Sequence, residues 1–176
     1  KVIVPSEPAR DDAELLGARA DQIVVVPHGI APYFRPAESK PANSGYLLTV
    51  GTLEPRKNYV RLLLALEKAW ARDAAPAWVL VARRGWDYED FLARMEASRF
   101  RKRIRWIEAM PDAELLRTYQ GALAFLFPSM HEGFGLAVLE AMACGIPQVV
   151  AVQTAPAWLA GPSAMLVAPK DVDSLA

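Results

Sequence analysis

Short runs rich in β-branched and aromatic residues alternate along this chain with longer stretches whose apolar residues recur at helical spacing. The runs predict strands at 23–26, 46–50, 78–82, 104–107, 123–127, 148–151 and 164–167. Between them the spacing predicts helices at 10–18, 58–71, 87–98, 112–121 and 137–144, and a short turn at 156–160. The 58–71 stretch is the clearest, with Leu62, Leu63, Leu66, Ala69 and Trp70 on one face. Asp112, after Pro111, predicts a helix cap, with Glu114 in the first turn. Residues 35–45 are rich in proline and turn formers and predict a linker. This divides the chain into an inter-domain segment at 1–45 and one domain at 46–176.

Strand–helix alternation at this spacing predicts an α/β fold. It is a Rossmann-like open parallel sheet with helices on both faces. Right-handed crossovers gather the loops that follow strands on one sheet edge, where ligands of such sheets bind. Nearly every unusual residue here lies in those loops. Arg56, Lys57, Arg83, Arg84, Glu132 and Glu140 should therefore surround one cleft.

Composition narrows the choices. With 20 basic and 20 acidic residues the chain lacks the basic footprint of a nucleic-acid binder. One cysteine, Cys144, excludes an internal disulfide and a multi-cysteine metal site; its apolar helix predicts a packed thiol. No apolar run reaches the ~20 residues that span a bilayer. The start, K-V-I-V-P-S-E, has no signal-peptide character and begins within an apolar run, as a piece of a longer chain would.

Two segments carry candidate chemistry. The first, Gly51 to Asn58, reads G-T-L-E-P-R-K-N. It misses the phosphate-binding G-x-x-x-x-G-K-[ST] pattern because Arg56 replaces the second glycine and Asn58 the magnesium-binding hydroxyl. A cationic pair at a helix start remains, with Arg56 as a planar fork and Lys57 as a point charge. Cations are unfavourable at the positive end of a helix dipole, so an anionic partner is expected. The second segment runs from His131 to Pro147, H-E-G-F-G-L-A-V-L-E-A-M-A-C-G-I-P. A strand, a glycine-flanked loop and then a helix present backbone N–H groups to an anion. Glu132 and Glu140 lie eight residues apart, ~12 Å of helical rise. Glycosidase pairs stand ~5–9.5 Å apart, so these acids suit gripping two parts of one ligand better than sharing a bond. Leu136, Leu139, Ala141 and Ala143 predict a largely buried helix, in which Glu140 needs a partner. His28 and His131 read as hydrogen-bonding loop histidines, and no metal site is expected. Arg83–Arg84 reads equally as an anion contact or an exposed basic turn. Trp70, Trp78 and Trp106 are expected in the core, and Trp86 and Trp158 in loops at the ligand edge.

Both segments together, with V-V-V-P-H-G-I and L-V-A-P-K-D-V-D, resemble the glycogen-synthase-like retaining glycosyltransferases called group 1, of GT-B architecture. Their hallmark is the E-x7-E pair, which both flanks here match. The resemblance covers nearly the whole chain but only the C-terminal, donor-binding half of such an enzyme. It implies that Arg56 and Lys57 hold the donor diphosphate and that Glu132 contacts the sugar near the reacting carbon. The N–H groups of Gly133, Phe134, Gly135 and Leu136 would bind sugar hydroxyls or phosphate, and Gly51 would border the donor. Glu140 would take the ribose hydroxyls and the backbone near Ile107 would face the base. It also implies a metal-independent cytoplasmic enzyme, working at the inner membrane face in the longer protein, without a cofactor. GDP-mannose ranks first as donor and a UDP-sugar second; the acceptor, a saccharide or lipid-linked, would meet the N-terminal half. Departures fall at Ala82–Arg83, where the family has a glycine-proline type turn, at Trp158, where it often has an acid, and at Ala137, where it has a proline. The alternatives are an epimerase- or phosphorylase-like enzyme and a degenerate binding module. Lys57 and Lys170 are the only lysines expected on the ligand edge, and neither sits in a pyridoxal motif.

Overall fold

The computed structural model describes residues 1–39 and 44–176. Part of the 35–45 linker lies outside the described residues. Eight strands are present among them: β1 (Val2–Val4), β2 (Ile23–Val25), β3 (Tyr46–Leu53), β4 (Trp78–Arg84), β5 (Ile104–Ile107), β6 (Ala122–Phe127), β7 (Gln148–Ala151) and β8 (Ala164–Val167). Strands β3 to β8 form one parallel sheet in the order β5-β4-β3-β6-β7-β8. The chain winds outward from β3 to β5, then returns to start β6 on the other side of β3. The connections after β3 and β6 therefore diverge and leave a crevice between them, the switch point of an open α/β sheet.

Helices α2 (Tyr59–Ala71), α3 (Glu89–Ala97), α4 (Asp112–Gly121), α5 (Leu136–Ala143), α6 (Ala155–Ala160) and α7 (Val172–Leu175) follow the strands. Side-chain alternation along the strands sorts two cores. Leu48, Val79, Val81, Phe125 and Phe127 pack with Tyr119 of α4 and Val138 of α5. Leu53, Trp78, Leu80 and Leu126 pack with Leu62, Leu63, Leu66 and Trp70 of α2 and Phe91 of α3. Both faces of the central strands are buried, which is why they read as nearly continuous apolar runs, while the edge strand β8 leaves Met165 and Leu166 exposed.

Strand β1 and helix α1 (Glu7–Leu15) lead into β2, which pairs in parallel with β1, Val2 opposite Ile23. Helix α1 starts three residues before the predicted 10–18 because Ser6 caps it, accepting the Ala9 N–H at 3.1 Å. Gly17, at φ +96°, ends it. Asp112 is not the cap of α4: extended Pro111 holds that position without a side-chain bond, and Asp112 lies in the first turn. The 156–160 turn is a helix capped by Thr154, whose Oγ1 accepts from Ala157. Strand β1 and helix α7 were not predicted as elements; three and four residues are too few to show a period.

Candidate functional site

The loops after β3 and β6 face each other across the switch point. After β3, Pro55–Lys57 form a 3-10 turn and Asn58, at φ +65°, turns the chain into α2. Asparagine tolerates this left-handed backbone better than most side chains. Asn58 is 3% exposed, and its Nδ2 donates to Pro128 O (3.2 Å) and Pro169 O (2.7 Å). It thus bolts the β3 loop to the loops after β6 and β8. Asn58 is a structural tie where a phosphate-binding loop would place a metal-binding hydroxyl. Arg56 and Lys57 lie in the turn ahead of the helix rather than in its first turn.

The two cations meet Glu132. Lys57 Nζ stands 2.5 Å from Glu132 Oε1, and Arg56 Nη1 2.7 Å from Oε2. Arg56 also reaches Glu54 Oε1 at 2.6 Å and donates to His131 O at 3.0 Å. The unfavourable placing of these cations is thus relieved first by a carboxylate of the chain itself. Burial pushes the Glu132 carboxyl up, but Lys57 and Arg56 outweigh burial and hold it below its usual value. Lys57 also lies 4.8 Å from the centre of the Phe127 ring.

Gly51 makes room for this arrangement. A Cβ there would lie 2.7 Å from the Tyr59 hydroxyl and 3.7 Å from Lys57 Cε. The Tyr59 hydroxyl is buried and has no partner among the described residues; burial pushes its pKa far up, so it stays a neutral donor. Across the crevice Gly135 caps α5 at φ +103°, and a Cβ there would meet Pro156 Cγ at 3.0 Å. The Leu136 and Ala137 N–H groups that open α5 have no helical carbonyl to bond, whereas the Val138 N–H already donates to Gly135 O at 2.9 Å.

A cavity of about 280 Å³ opens between the loops, lined by Gly51, Lys57, Glu132, Phe134, Gly135, Leu136 and, unexpectedly, His28. The His28 ring stands edge-on to Phe134, centroids 5.0 Å apart. Nothing in V-P-H-G-I alone indicates that its histidine returns to the β6 loop. His131 instead faces Asp12 of α1 at 3.3 Å. Arg56, Gly133, Ile107 and Glu140 do not line this cavity. Glu140 bonds the Tyr119 hydroxyl at 2.7 Å, the partner its half-burial requires, and burial raises its carboxyl pKa. Nothing in the sequence around Tyr119 singles it out as this partner.

The remaining candidates separate cleanly. Arg84 pairs with Glu108 at 3.3 Å and lies over the Trp106 ring, while Arg83 is exposed beside it. They are not a turn but the last two residues of β4, a basic strand end outside the cavity. Cys144 is buried, with its thiol pushed up to about 11 by burial, as a packed core residue should be. Trp70 and Trp78 are core residues; Trp106 is only partly buried and donates to Ala82 O. Trp86 is half exposed and bonds Glu54, and Trp158 lies on α6 rather than in a loop. Among the described residues no cluster of three or more His, Cys, Asp or Glu could hold a metal ion. No helix among them is long and apolar enough to cross a membrane.

Comparison with known proteins now places this geometry. The model of the glycosyl transferases group 1 family matches residues 32–176. An O-antigen chain mannosyltransferase B of Escherichia coli is 37% identical over 133 residues, 74% of this chain and 35% of that protein. A D-inositol 3-phosphate glycosyltransferase of Kineococcus radiotolerans is 32% identical over 160 residues, 81% of this chain and 37% of that protein. The chain thus spans about a third of the length of these relatives. Among solved structures, a sucrose-phosphate synthase from Thermosynechococcus elongatus superposes with a TM-score of 0.86 at 23% identity, over 99% of this chain and 46% of that one. HepE of Anabaena, in complex with UDP and glucose, gives 0.82 at 19% identity, over 99% and 50%. A Rossmann-like sheet of the GT-B kind, with its cations and acids at the switch point, therefore comes with a sequence match over most of its length: this chain belongs to the group 1 glycosyl transferases.

Proposed function

We propose that this chain is the donor-binding half of a retaining glycosyltransferase. It would move a hexose from a nucleoside-diphosphate sugar to a saccharide or lipid-linked acceptor. Mannose from GDP-mannose is the first choice, a UDP-sugar the second. The observation that carries this reading is the meeting of Lys57, Arg56 and Glu132 in front of the α5 N-terminus, at the switch point between β3 and β6. The likeness to a mannosyltransferase at 37% identity supports the choice of sugar.

In this mechanism Glu132 neutralises the two cations until the donor arrives. The diphosphate then takes over Arg56 and Lys57, and Glu132 turns to the sugar near the reacting carbon. The N–H groups of Gly133, Phe134, Gly135 and Leu136 receive sugar hydroxyls or phosphate oxygens. Glu140, held by Tyr119, accepts from the ribose hydroxyls, and the backbone at Ile107 faces the base. As the glycosidic bond breaks, charge grows on the leaving diphosphate, where preorganised cations and amides stabilise it. Two fixed cations supply what a metal would, so chelators should leave transfer unchanged.

Calorimetric titration of the chain with GDP, UDP and ADP, beside Lys57→Ala and Glu140→Ala, tests the reading. One nucleotide should bind and both substitutions should weaken it, while the chain alone transfers no sugar. A folded chain that binds none of the three would favour a degenerate binding module instead. Intact Arg56, Lys57, Glu132 and Glu140 count against that alternative.

A further inference from the structure

The loop between β6 and α5 is held from two sides. On one, the Met130 N–H donates to Arg56 O at 2.8 Å, and Arg56 donates to His131 O. On the other stands α1, whose cap Ser6 is 127 residues before Gly133 in sequence. Ser6 Oγ donates to Gly133 O at 2.7 Å while accepting the Ala9 N–H. Asp12 faces His131, but both side chains are well exposed, and exposed pairs hold little. Ser6 is 0% exposed, so water does not compete for its bond.

That bond reaches further than Gly133. A trans peptide points its C=O and N–H in opposite directions within one plane, and the described chain contains no cis peptide. Holding Gly133 O therefore directs the Phe134 N–H away from α1. Little else fixes this plane. Glycine lacks the steric barrier that would keep the peptide from turning over, and a Cβ at Gly133 would meet nothing within 4 Å. Phe134 itself lines the cavity that Lys57 and Glu132 share.

We propose that Ser6 is a positioning residue of the donor site: by anchoring Gly133 O to α1 it aims the Phe134 N–H at the bound anion. The proposal rests on reading the β6–α5 loop as the diphosphate and sugar cradle. It makes the segment ahead of the six-stranded sheet part of the site, through its backbone rather than through contact with the donor.

The test uses Ser6→Gly and Ser6→Thr in the chain labelled with 15N-phenylalanine. Glycine is itself an adequate helix cap, costing only a few tenths of a kcal/mol against serine, so Ser6→Gly removes the bond to Gly133 and spares α1. Among six phenylalanine amides, Phe134 is assigned by the signal that Phe134→Tyr removes. In Ser6→Gly that amide should shift or broaden, and GDP or UDP should bind about tenfold more weakly. The melting temperature should fall by no more than about 7 °C, the cost of the cap and of one buried bond together. Ser6→Thr should restore both readings. Wild-type affinity in Ser6→Gly, or an unmoved Phe134 amide, would overturn the proposal. If the unaltered chain binds neither nucleotide, the functional reading fails and the amide alone decides: movement supports the role of Ser6, immobility removes it.

Discussion

Replacing Lys57 by methionine keeps most of the side-chain stem and deletes the ammonium that meets Glu132 at 2.5 Å. Both side chains are about nine-tenths buried, at 10% exposure each. Removing one member of a buried ion pair ordinarily costs about 3–5 kcal/mol, because the other charge is stranded. Glu132 is not wholly stranded here. It keeps Arg56, whose side chain is 40% exposed and whose contribution solvent weakens. The cost should therefore fall below that range, at about 2 kcal/mol. In a chain of this size that lowers the melting temperature by about 4–8 °C. The pH dependence carries the sharper test. Glu132 has a lowered carboxyl pKa, so the stabilisation from its cations is complete above the usual carboxylate value. It disappears as pH falls through the lowered value. The deficit of Lys57→Met should be full near neutral pH and should shrink as pH falls below the usual carboxylate value and through the lowered Glu132 value. Thermal denaturation followed by circular dichroism across a series of pH values from neutral to acid measures it. A cycle with Glu132→Gln should give a double variant that loses less than the sum of the single losses. Nucleotide affinity should drop about 10–100-fold with the lost charge-assisted phosphate bond. An unchanged melting temperature at neutral pH, or a deficit that does not shrink at all as the medium is acidified, would refute the reasoning: the stem's packing, not its charge, would then be what matters.

Three further outcomes are expected. Glu140→Gln should weaken nucleotide binding about tenfold in calorimetry, yet slightly stabilise the fold near neutral pH. Burial raises the Glu140 carboxyl, so its ionised form is the costly one; the gain should vanish at pH values below the usual carboxylate range. Asn58→Ala removes three side-chain bonds, to Pro128 O, to Pro169 O and from Arg61, and leaves a non-glycine residue at φ +65°, so denaturant titration should show a loss of about 2–4 kcal/mol. Gly51→Ala drives a methyl group against the Tyr59 hydroxyl and toward Lys57; nucleotide affinity should fall more than stability, as read by calorimetry beside thermal melts.

The strands and long helices were legible because each carries its period in adjacent residues. Trp78, Leu80 and Ala82 alternate with Val79 and Val81, and the structure sends the two sets to opposite faces of the sheet. The E-x7-E segment and G-T-L-E-P-R-K-N were legible for the same reason, since the residues of each lie within one short stretch of chain. The pairings between them were not. Lys57 and Glu132 are 75 residues apart, and nothing local in either segment shows that each neutralises the other. The partner of Glu140 lies on α4, 21 residues earlier, and nothing in the sequence around it singles it out. Ser6 reads as part of an apolar start, and only its place as a cap beside Gly133 gives it a role.

By itself, then, the sequence determined the alternation of elements, the chemistry of the loops and the family. Hydrophobic period, turn residues and motif spacing are short-range properties that a chain displays without folding. The tertiary structure alone decided the strand order that sets β3 beside β6, and so which acid faces which cation. It also decided that His28 and Ser6, from the segment ahead of the sheet, close on the β6 loop. Those outcomes depend on how helices pack over a buried sheet, and packing is a property of surfaces that meet only after the chain has folded.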